Sequence, residues 1–585
     1  MNRIYHITCF ILLFLVPSGI FAQSVFLPAG SDAHRLLERL EVLSGRHASQ
    51  FHSALRPLER KAAVHFLEAA DTLPHLTAND RHHMYHFLQR HPEWASITPD
   101  SSERPILKRF YAFPHDLYRY HSDDFFLVVN PVLDVRIGQE GDEELYRYLN
   151  TRGVEVRGMI NQRVGFYSFV AENQARFPTY VRRQMQWHRG AVPGEGWTKS
   201  FGEGGVDFFS ARGYIAFQAT QNIGLQFGQD RNVIGNGIRS LLLSDYANNY
   251  LFLKVNTRYR WLHYQNIFAN MLDYPMRNFG RPYDAKYAVT HHLGLHVHPK
   301  LQLGFFENVV FGRSDSLNRR GFEWHYLNPV IFYRAIEHHI GDPDNVMVGM
   351  DWQWIAHKGL ALYGQFVINE FYLQDIRDDL DSLWVRLGLR RERKYDDFAS
   401  FRNKFGMQLG VKTYDIFGIS NLDVQAEVNL VRPFVYQHYD TYGSGLRPAA
   451  SYSHYSQPLA HPLGANFRDW ALRMAYRPHP QWEVVGHLFS MVQGRDTAGI
   501  NLGGNILRDY RDRPGDFNQH FLQGNRVSTL LGEVNLLWEF RPGWYADLRW
   551  LWRNQKEAIR PGDPFKTDYI SLGIRVNAVP RRHYF

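Results

Sequence analysis

The 585-residue chain sets 66 Lys and Arg against 58 Asp and Glu, a formal charge of +8, with 44% hydrophobic and 15% aromatic residues. So small a surplus, with no basic helix or clustered Lys/Arg tract, excludes a nucleic-acid footprint and leaves acidic glycans and lipid headgroups as the partners the charge favours. The one cysteine is Cys9, so the rest of the chain has no thiol for disulfides, nucleophilic catalysis or thiolate metal sites.

The N-terminus carries Arg3, an apolar run from Ile11 to Val16, and then Gly19-Ile20-Phe21-Ala22. This pattern predicts a secretory signal over residues 1–22 with cleavage after Ala22. The apolar run is too short for a membrane span, and nothing later approaches ~18 consecutive apolar residues.

Residues 23–115 read as a helical segment with three short helices. Ser31 is placed to cap the first, which carries Leu36, Leu40 and Leu43 on one stripe and stops at Gly45. Pro57 stands at the expected first position of the second, followed by Ala62, Ala63, Phe66, Leu67 and Ala70. The third runs from about Thr77 to Arg90, with Met84, Phe87 and Leu88 as its apolar positions. Helices this small bury too little to stand alone, so the inner end of a barrel is expected to receive them.

From about residue 125 to the end the period changes to two. Leu251, Leu253, Val255, Thr257 and Tyr259 share one face, while Lys254, Asn256 and Arg258 share the other. Further on, Leu530, Val534, Leu536, Trp538, Leu548 and Trp550 oppose Glu533, Asn535, Glu539, Asp547 and Arg549. Strand side chains alternate between faces, so the pattern makes one surface hydrocarbon and the other charged. Repeated over a long chain, it predicts an all-β fold: a transmembrane antiparallel barrel over residues 116–585, apolar towards lipid and polar towards a wet lumen. Short turns near 220–222, 261, 299, 356–359, 416–418, 478–481 and 542 alternate with long polar loops. Those loops are 173–205, 230–248, 273–285, 373–403, 432–465, 494–526 and 554–566. Together they cut the region into eighteen strands, the first at 126–137 and the last at 567–577. An even number puts both termini on the periplasmic side of an outer membrane. Residues 324–342 read as strand, helix or an inward-folded loop. The final Tyr584-Phe585 resembles the terminal aromatic assembly signal of outer-membrane barrels, although Pro580 and Arg581 interrupt the strand before it.

Two stretches stand apart from this regularity. Residues 228–253 read G-Q-D-R-N-V-I-G-N-G-I-R-S-L-L-L-S-D-Y-A-N-N-Y-L-F-L, and residues 326–345 read Y-L-N-P-V-I-F-Y-R-A-I-E-H-H-I-G-D-P-D-N. In the first, Gly235 and Gly237 permit backbone geometry that a side chain would forbid. Asp230, Arg231, Asn232 and Arg239 supply hydrogen-bonding groups, and the guanidinium fork suits uronic-acid carboxylates or phosphate. The alternative is a loop folded into the barrel mouth, its Asp and Arg paired with each other. In the second, Asn328, Arg334 and Glu337 are either binding groups or a lumen-filling salt bridge, with Pro329 and Pro343 marking irregular backbone. Trp187, Trp197, Trp324 and Tyr442 are candidate sugar-stacking platforms, with girdle or core packing as the alternative.

The two stretches together resemble the Wzi-type capsule-assembly barrels, and especially the Bacteroidetes branch described as gliding-motility RemB-like proteins. The resemblance covers nearly the whole chain after residue 22. It implies an eighteen-stranded outer-membrane barrel with a small periplasmic helical bundle, holding capsular or exopolysaccharide at the cell surface. That family usually carries a Trp just before its G-x-G, where this chain has Val233-Ile234.

Nothing in the sequence argues for catalysis or a cofactor. His82 and His86 lie one helical turn apart without a nearby carboxylate, and Asp378, Asp379, Asp381, Asp396 and Asp397 lack calcium-loop spacing. Gly443-Ser444-Gly445 is no nucleophile elbow, and Gly202–Gly205 lacks the Lys of a phosphate loop. The competing readings are a diffusion channel and a surface component of a gliding or secretion machine, whose partners would be other cell-surface proteins.

Overall fold

The computed structural model describes residues 24–585 apart from 75, 104, 142, 273–284, 313–321, 329–343, 371–398, 440–447, 498, 560, 561 and 563. The segment 1–22, Pro329, Arg334, Glu337, Pro343, Tyr442 and the acidic positions 378–381 and 396–397 therefore lie outside the described residues, as does Gly443-Ser444-Gly445.

Eighteen antiparallel strands close into one barrel. They are β1 (Phe125–Glu140), β2 (Arg147–Ile160), β3 (Val164–Arg176), β4 (Gly205–Thr220), β5 (Ile223–Asp230), β6 (Tyr250–Tyr259), β7 (Leu262–Leu272), β8 (Ala285–His298) and β9 (Leu301–Gly312). The second half comprises β10 (Asn345–His357), β11 (Leu360–Glu370), β12 (Lys404–Thr413), β13 (Leu422–Val431), β14 (Phe467–His479), β15 (Trp482–Arg495), β16 (Asn525–Arg541), β17 (Trp544–Glu557) and β18 (Phe565–Val576). Each strand pairs with its sequence neighbours, and β18 closes the ring on β1 through the register Val576↔Leu133 to Tyr569↔Glu140. Below that seam, the short strand Tyr118–His121 pairs with Phe126–Val129 of β1. Closure leaves no long open edge, which is what a sheet needs in hydrocarbon.

The facing follows the alternation. Leu251 and Leu253 point out while Lys254 is fully buried inside. Val534, Leu548 and Trp550 are exposed outward, whereas Glu533 and Asp547 are buried. Near the short turns, Tyr259, Trp261, Trp354, Tyr476, Trp482 and Trp538 are exposed, the position of an interfacial aromatic girdle. Trp482 and Trp538 stack as a cross-strand pair, with ring centroids 5.6 Å apart.

Three helices sit at the short-turn end: α1 (Ala33–Ser44), α2 (Arg60–Ala70) and α3 (Ala78–Arg90). Their apolar stripes face one another, burying Leu36, Leu40, Ala63, Phe66, Leu67, Met84 and Phe87 in one cluster. Gly45 ends α1 in the left-handed region at φ 78°. Thr77 caps α3 through a reciprocal box with Asp80. Two expected boundaries move. Residue Asp32, not Ser31, precedes α1 at its cap position, and α2 starts at Arg60, three residues beyond Pro57. Charge fixes the bundle to the barrel. Arg39, 1% exposed, meets Asp80 of α3 at 2.8 Å, Asp415 at 2.9 Å and Asp423 of β13 at 2.5 Å. Arg35 bonds Glu483 of β15 at 2.9 Å, and Lys412 of β12 reaches Glu38 at 3.3 Å.

The end of the chain leaves the sheet. β18 stops at Val576, and residues 577–585 turn back into the lumen. Tyr584 and Phe585 are buried there, so the final aromatic is an interior packing group in this fold.

Candidate functional site

The lumen is filled from three directions, and the connection between β5 and β6 is the centre of it. Rather than standing out as a polar loop, residues 231–249 fold inward. Leu55 and Arg56, from the segment between α1 and α2, pair with Ile234 and Val233, and the Ile234 amide donates to Leu243 O at 2.9 Å. The Leu241-Leu242-Leu243 run is buried against Ile234, Phe252, Val310, Val367, Tyr436 and Tyr452. Tyr436 and Tyr452 donate their hydroxyls to the carbonyls of Leu241 (2.7 Å) and Leu242 (2.6 Å). Both glycines of G-x-G are sterically required. A Cβ on Gly235, whose φ is +142°, would stand 2.2 Å from Gln365 Nε2, and one on Gly237 would stand 2.7 Å from Glu427 Oε2.

Glu427 of β13 anchors the loop. Its carboxylate accepts the amides of Ile238 (2.8 Å) and Arg239 (3.0 Å), the Tyr363 hydroxyl (2.8 Å) and Asn429 Nδ2 (3.0 Å). No sequence motif marks Glu427. It is one inward acid among many, and only the folded loop gives it this role.

The sequence candidates are distributed as follows. Asp230 is buried at the end of β5 and accepts the Arg231 amide at 2.9 Å. Asn232 is fully buried and accepts from Lys254 Nζ at 3.0 Å. Arg231 donates to Gly194 O and stands 3.8 Å from Glu195. Arg239 donates to Tyr584 O, stands 3.5 Å from Asp469, and lies 4.5 Å over the Phe489 ring. Arg231 and Arg239 line one internal cavity of about 230 Å³, while Asp230 and Asn232 do not. Asn328 follows the single turn Trp324–Leu327 near the long-loop end and is not part of that group. Trp324 is exposed, and Trp197 packs on Tyr455 with centroids 4.3 Å apart.

Residues 577–585 form the far wall of this cavity. Arg581 donates to Thr151 Oγ1 (2.8 Å) and Asn173 Oδ1 (2.6 Å), and Tyr180 donates to His583 O (3.0 Å). Tyr584 donates to Glu533 Oε1 (2.8 Å), and Arg553 Nε donates to Phe585 O (2.9 Å).

A second cavity, of about 210 Å³, opens at the long-loop end. It lies against α4 (Thr179–Trp187), whose Trp187 is 54% exposed. Arg495 sits 5.8 Å from the Trp187 ring, and Arg183 lies 3.6 Å over Phe565. Gln184, Gln493, Gln555, Glu557 and Arg553 are among its polar lining. Burial lowers His188, at the end of α4, to about 4, so it is neutral and pairs through Nδ1 with Ser456 O at 2.8 Å. An exposed indole ringed by guanidinium, amide and carboxylate groups matches what a pyranose presents: an apolar face and a fringe of hydroxyls. Among the described residues, no set of three or more His, Cys, Asp or Glu is arranged to hold a metal ion.

No protein-family model matches the chain, and no curated protein matches it. Solved structures do. Escherichia coli Wzi, described as an outer-membrane, carbohydrate-binding β-barrel involved in group 1 capsule assembly, matches 95% of this chain and 100% of its own, at 12% identity and a TM-score of 0.53. Acinetobacter baumannii OccAB2 matches 77% of this chain and 97% of its own, at 9% identity and a TM-score of 0.40. Pseudomonas aeruginosa OprD matches 77% and 94%, at 8% identity and 0.39. The chain therefore shares the barrel fold of Wzi along almost its whole length.

Proposed function

We propose that this chain is an outer-membrane barrel that binds capsular or exopolysaccharide at the cell surface, with its long loops outward and both ends of the chain on the periplasmic side. The observation that carries this reading is the cavity at the long-loop end, where exposed Trp187 lies beside Arg495 within a ring of amide and carboxylate groups. The shared fold with a barrel described as carbohydrate-binding supports it. Arg231 and Arg239 line the separate internal cavity, and on this reading their guanidinium groups favour an acidic glycan. Within this reading, the Bacteroidetes branch suggested by the two sequence stretches remains the proposed affiliation. A diffusion channel fits less well, because loop 231–249, residues 577–585 and the helices at the short-turn end all occupy the lumen. The test is binding of the detergent-folded protein to the producing cell's own surface polysaccharide, with an unrelated barrel as control. Saturable, salt-sensitive binding is expected, roughly fivefold to tenfold weaker in Trp187→Ala. Binding no stronger than the control would overturn the reading.

A further inference from the structure

Between α3 and β1 the chain turns back on itself at Ile106–Phe110. Ile106 N donates to Phe110 O at 2.8 Å, the Arg109 amide closes the turn on Ile106 O at 3.2 Å, and Ser102 N reaches Ala112 O at 2.8 Å. The two central residues, Leu107 at φ 50° and Lys108 at φ 60°, both sit in the left-handed region that Gly, Asn or Asp normally supplies in such a turn. Leu107 is 79% exposed, Ile106 56% and Phe110 37%, with exposed Lys108 and Arg109 among them. The base of the hairpin is fixed to α3. Asp100 N donates to Gln89 Oε1 at 2.7 Å, and Arg119 donates to Gln89 O at 3.2 Å.

The hairpin stands on the outer side of the wall. Phe110 lies against Tyr118 with centroids 6.3 Å apart, and Tyr118 is opposite Val129 of β1, which shares the outward face of Val135 and Ile137. Tyr111 lies 4.4 Å from Arg541, whose strand partner Trp544 shares the outward face of Leu548 and Trp550. Tyr120, opposite Leu127, extends the aromatic row to Phe125 at 6.1 Å, and Phe125 extends it to Phe166 of β3 at 6.4 Å. The tip therefore continues the lipid-facing surface at the level of the aromatic girdle. An exposed leucine held at positive φ is costly in water and favourable in hydrocarbon. Two cations beside it suit the phosphate level of a leaflet. We propose that this hairpin is a membrane foot: Ile106, Leu107 and Phe110 enter the leaflet at the short-turn end, and Lys108 and Arg109 meet its anionic phospholipid headgroups. The proposal goes beyond the glycan reading and stands without it, because it rests on the barrel wall alone.

A fluorophore at the tip tests this. The full-length Cys9→Ser chain is folded into lipid nanodiscs, with an environment-sensitive label on Leu107→Cys and, as the control, on His65→Cys, which is exposed on α2. Heat-modifiable migration checks that each variant is folded, and substitutions at exposed positions should leave the barrel intact. In discs of phosphatidylethanolamine and phosphatidylglycerol, the Leu107→Cys label should shift its emission to the blue and be quenched by nitroxide-bearing lipids, while the His65→Cys label stays water-like. Lys108→Gln combined with Arg109→Gln should lose much of that quenching, as should replacement of phosphatidylglycerol by phosphatidylcholine. Ile106→Asp should return the label to water, and quenching that survives it would be the label's own and would overturn the proposal. Water-like, unquenched emission from Leu107→Cys overturns it too, and would leave the apolar tip to a soluble protein partner. So does quenching that neither the lipid charge nor the paired substitution alters.

Discussion

Glu427→Ala tests whether loop 231–249 is held in the lumen by one carboxylate. The side chain is 3% exposed and accepts four hydrogen bonds, two of them from the amides of Ile238 and Arg239. Truncation leaves those amides and the Tyr363 hydroxyl without their acceptor in an interior that offers few others. Each orphaned buried donor costs about 1–3 kcal/mol, and water admitted to the gap recovers part of it, so the loop should lose about 3–5 kcal/mol. Glu427→Gln keeps the shape and one acceptor oxygen and should lose about half as much. The loop carries two tryptic sites of its own, Arg231 and Arg239, both sheltered in the folded lumen. Limited trypsin digestion of the detergent-folded barrel is therefore the assay: the native chain should resist cleavage there, and Glu427→Ala should be cut at Arg239 first. Single-channel recording should show larger or more frequent openings in the same variant, because the loop is part of what fills the lumen. Native-like resistance at both arginines, with unchanged conductance, would refute the anchoring role.

Other perturbations probe other levels of the structure. Leu536→Arg puts a charge on the outward face beside Leu548 and Val484, and should cost about 2–4 kcal/mol if that position lies near the bilayer midplane, read from urea unfolding in lipid vesicles. Arg39→Ala leaves Asp80, Asp415 and Asp423 facing one another around a buried gap. It should loosen the helices by about 3–5 kcal/mol, seen as faster hydrogen exchange in α1 and α3 with the barrel strands unaffected. Arg231→Ala combined with Arg239→Ala should weaken binding of an acidic polysaccharide without preventing barrel assembly, and unchanged affinity would remove both from the site. Burial lowers His34 of α1 and His86 of α3 to about 4, and His83 of α3 to about 3. These rings are neutral when folded, so their contribution is fully present above pH 6.5 and is lost as pH falls towards 4. For His34 alone that is about 3 kcal/mol, at about 1.4 kcal/mol per unit. Protease sensitivity of the helices should rise over that window, and a flat profile from pH 7 to 4 would contradict it.

The barrel was legible because its signal is repeated and local. Every strand carries the period of two, every other connection is short, and eighteen is what results from applying the two rules together. The helices were legible for the same reason, down to Gly45 and Thr77. What lay beyond sequence was the third dimension of the loops. Loop 230–248 reads as polar by composition, with folding into the barrel mouth as the alternative, and what the sequence did not show is that its Leu241-Leu242-Leu243 run is a core segment whose partners, Tyr436 and Tyr452, lie some two hundred residues away. Residues 577–585 show Pro580, the pair Arg581-Arg582, His583 and two terminal aromatics, with no periodicity to say that they turn inward. Of the candidate residues, Arg231 and Arg239 come to one cavity, whereas Asp230 and Asn232 satisfy each other's neighbours instead.

The distribution of charge along the lumen separates scaffolding from surplus. At the short-turn end, Arg39 is surrounded by three carboxylates, and Arg35 and Lys412 each meet an acid, so the positive charge there is spent on docking the helices. Midway, the same residue type outnumbers its acids more than three to one around the inner cavity. The surplus falls where residues 577–585 meet loop 231–249, which is itself held by the pairing of Val233-Ile234 with Leu55-Arg56.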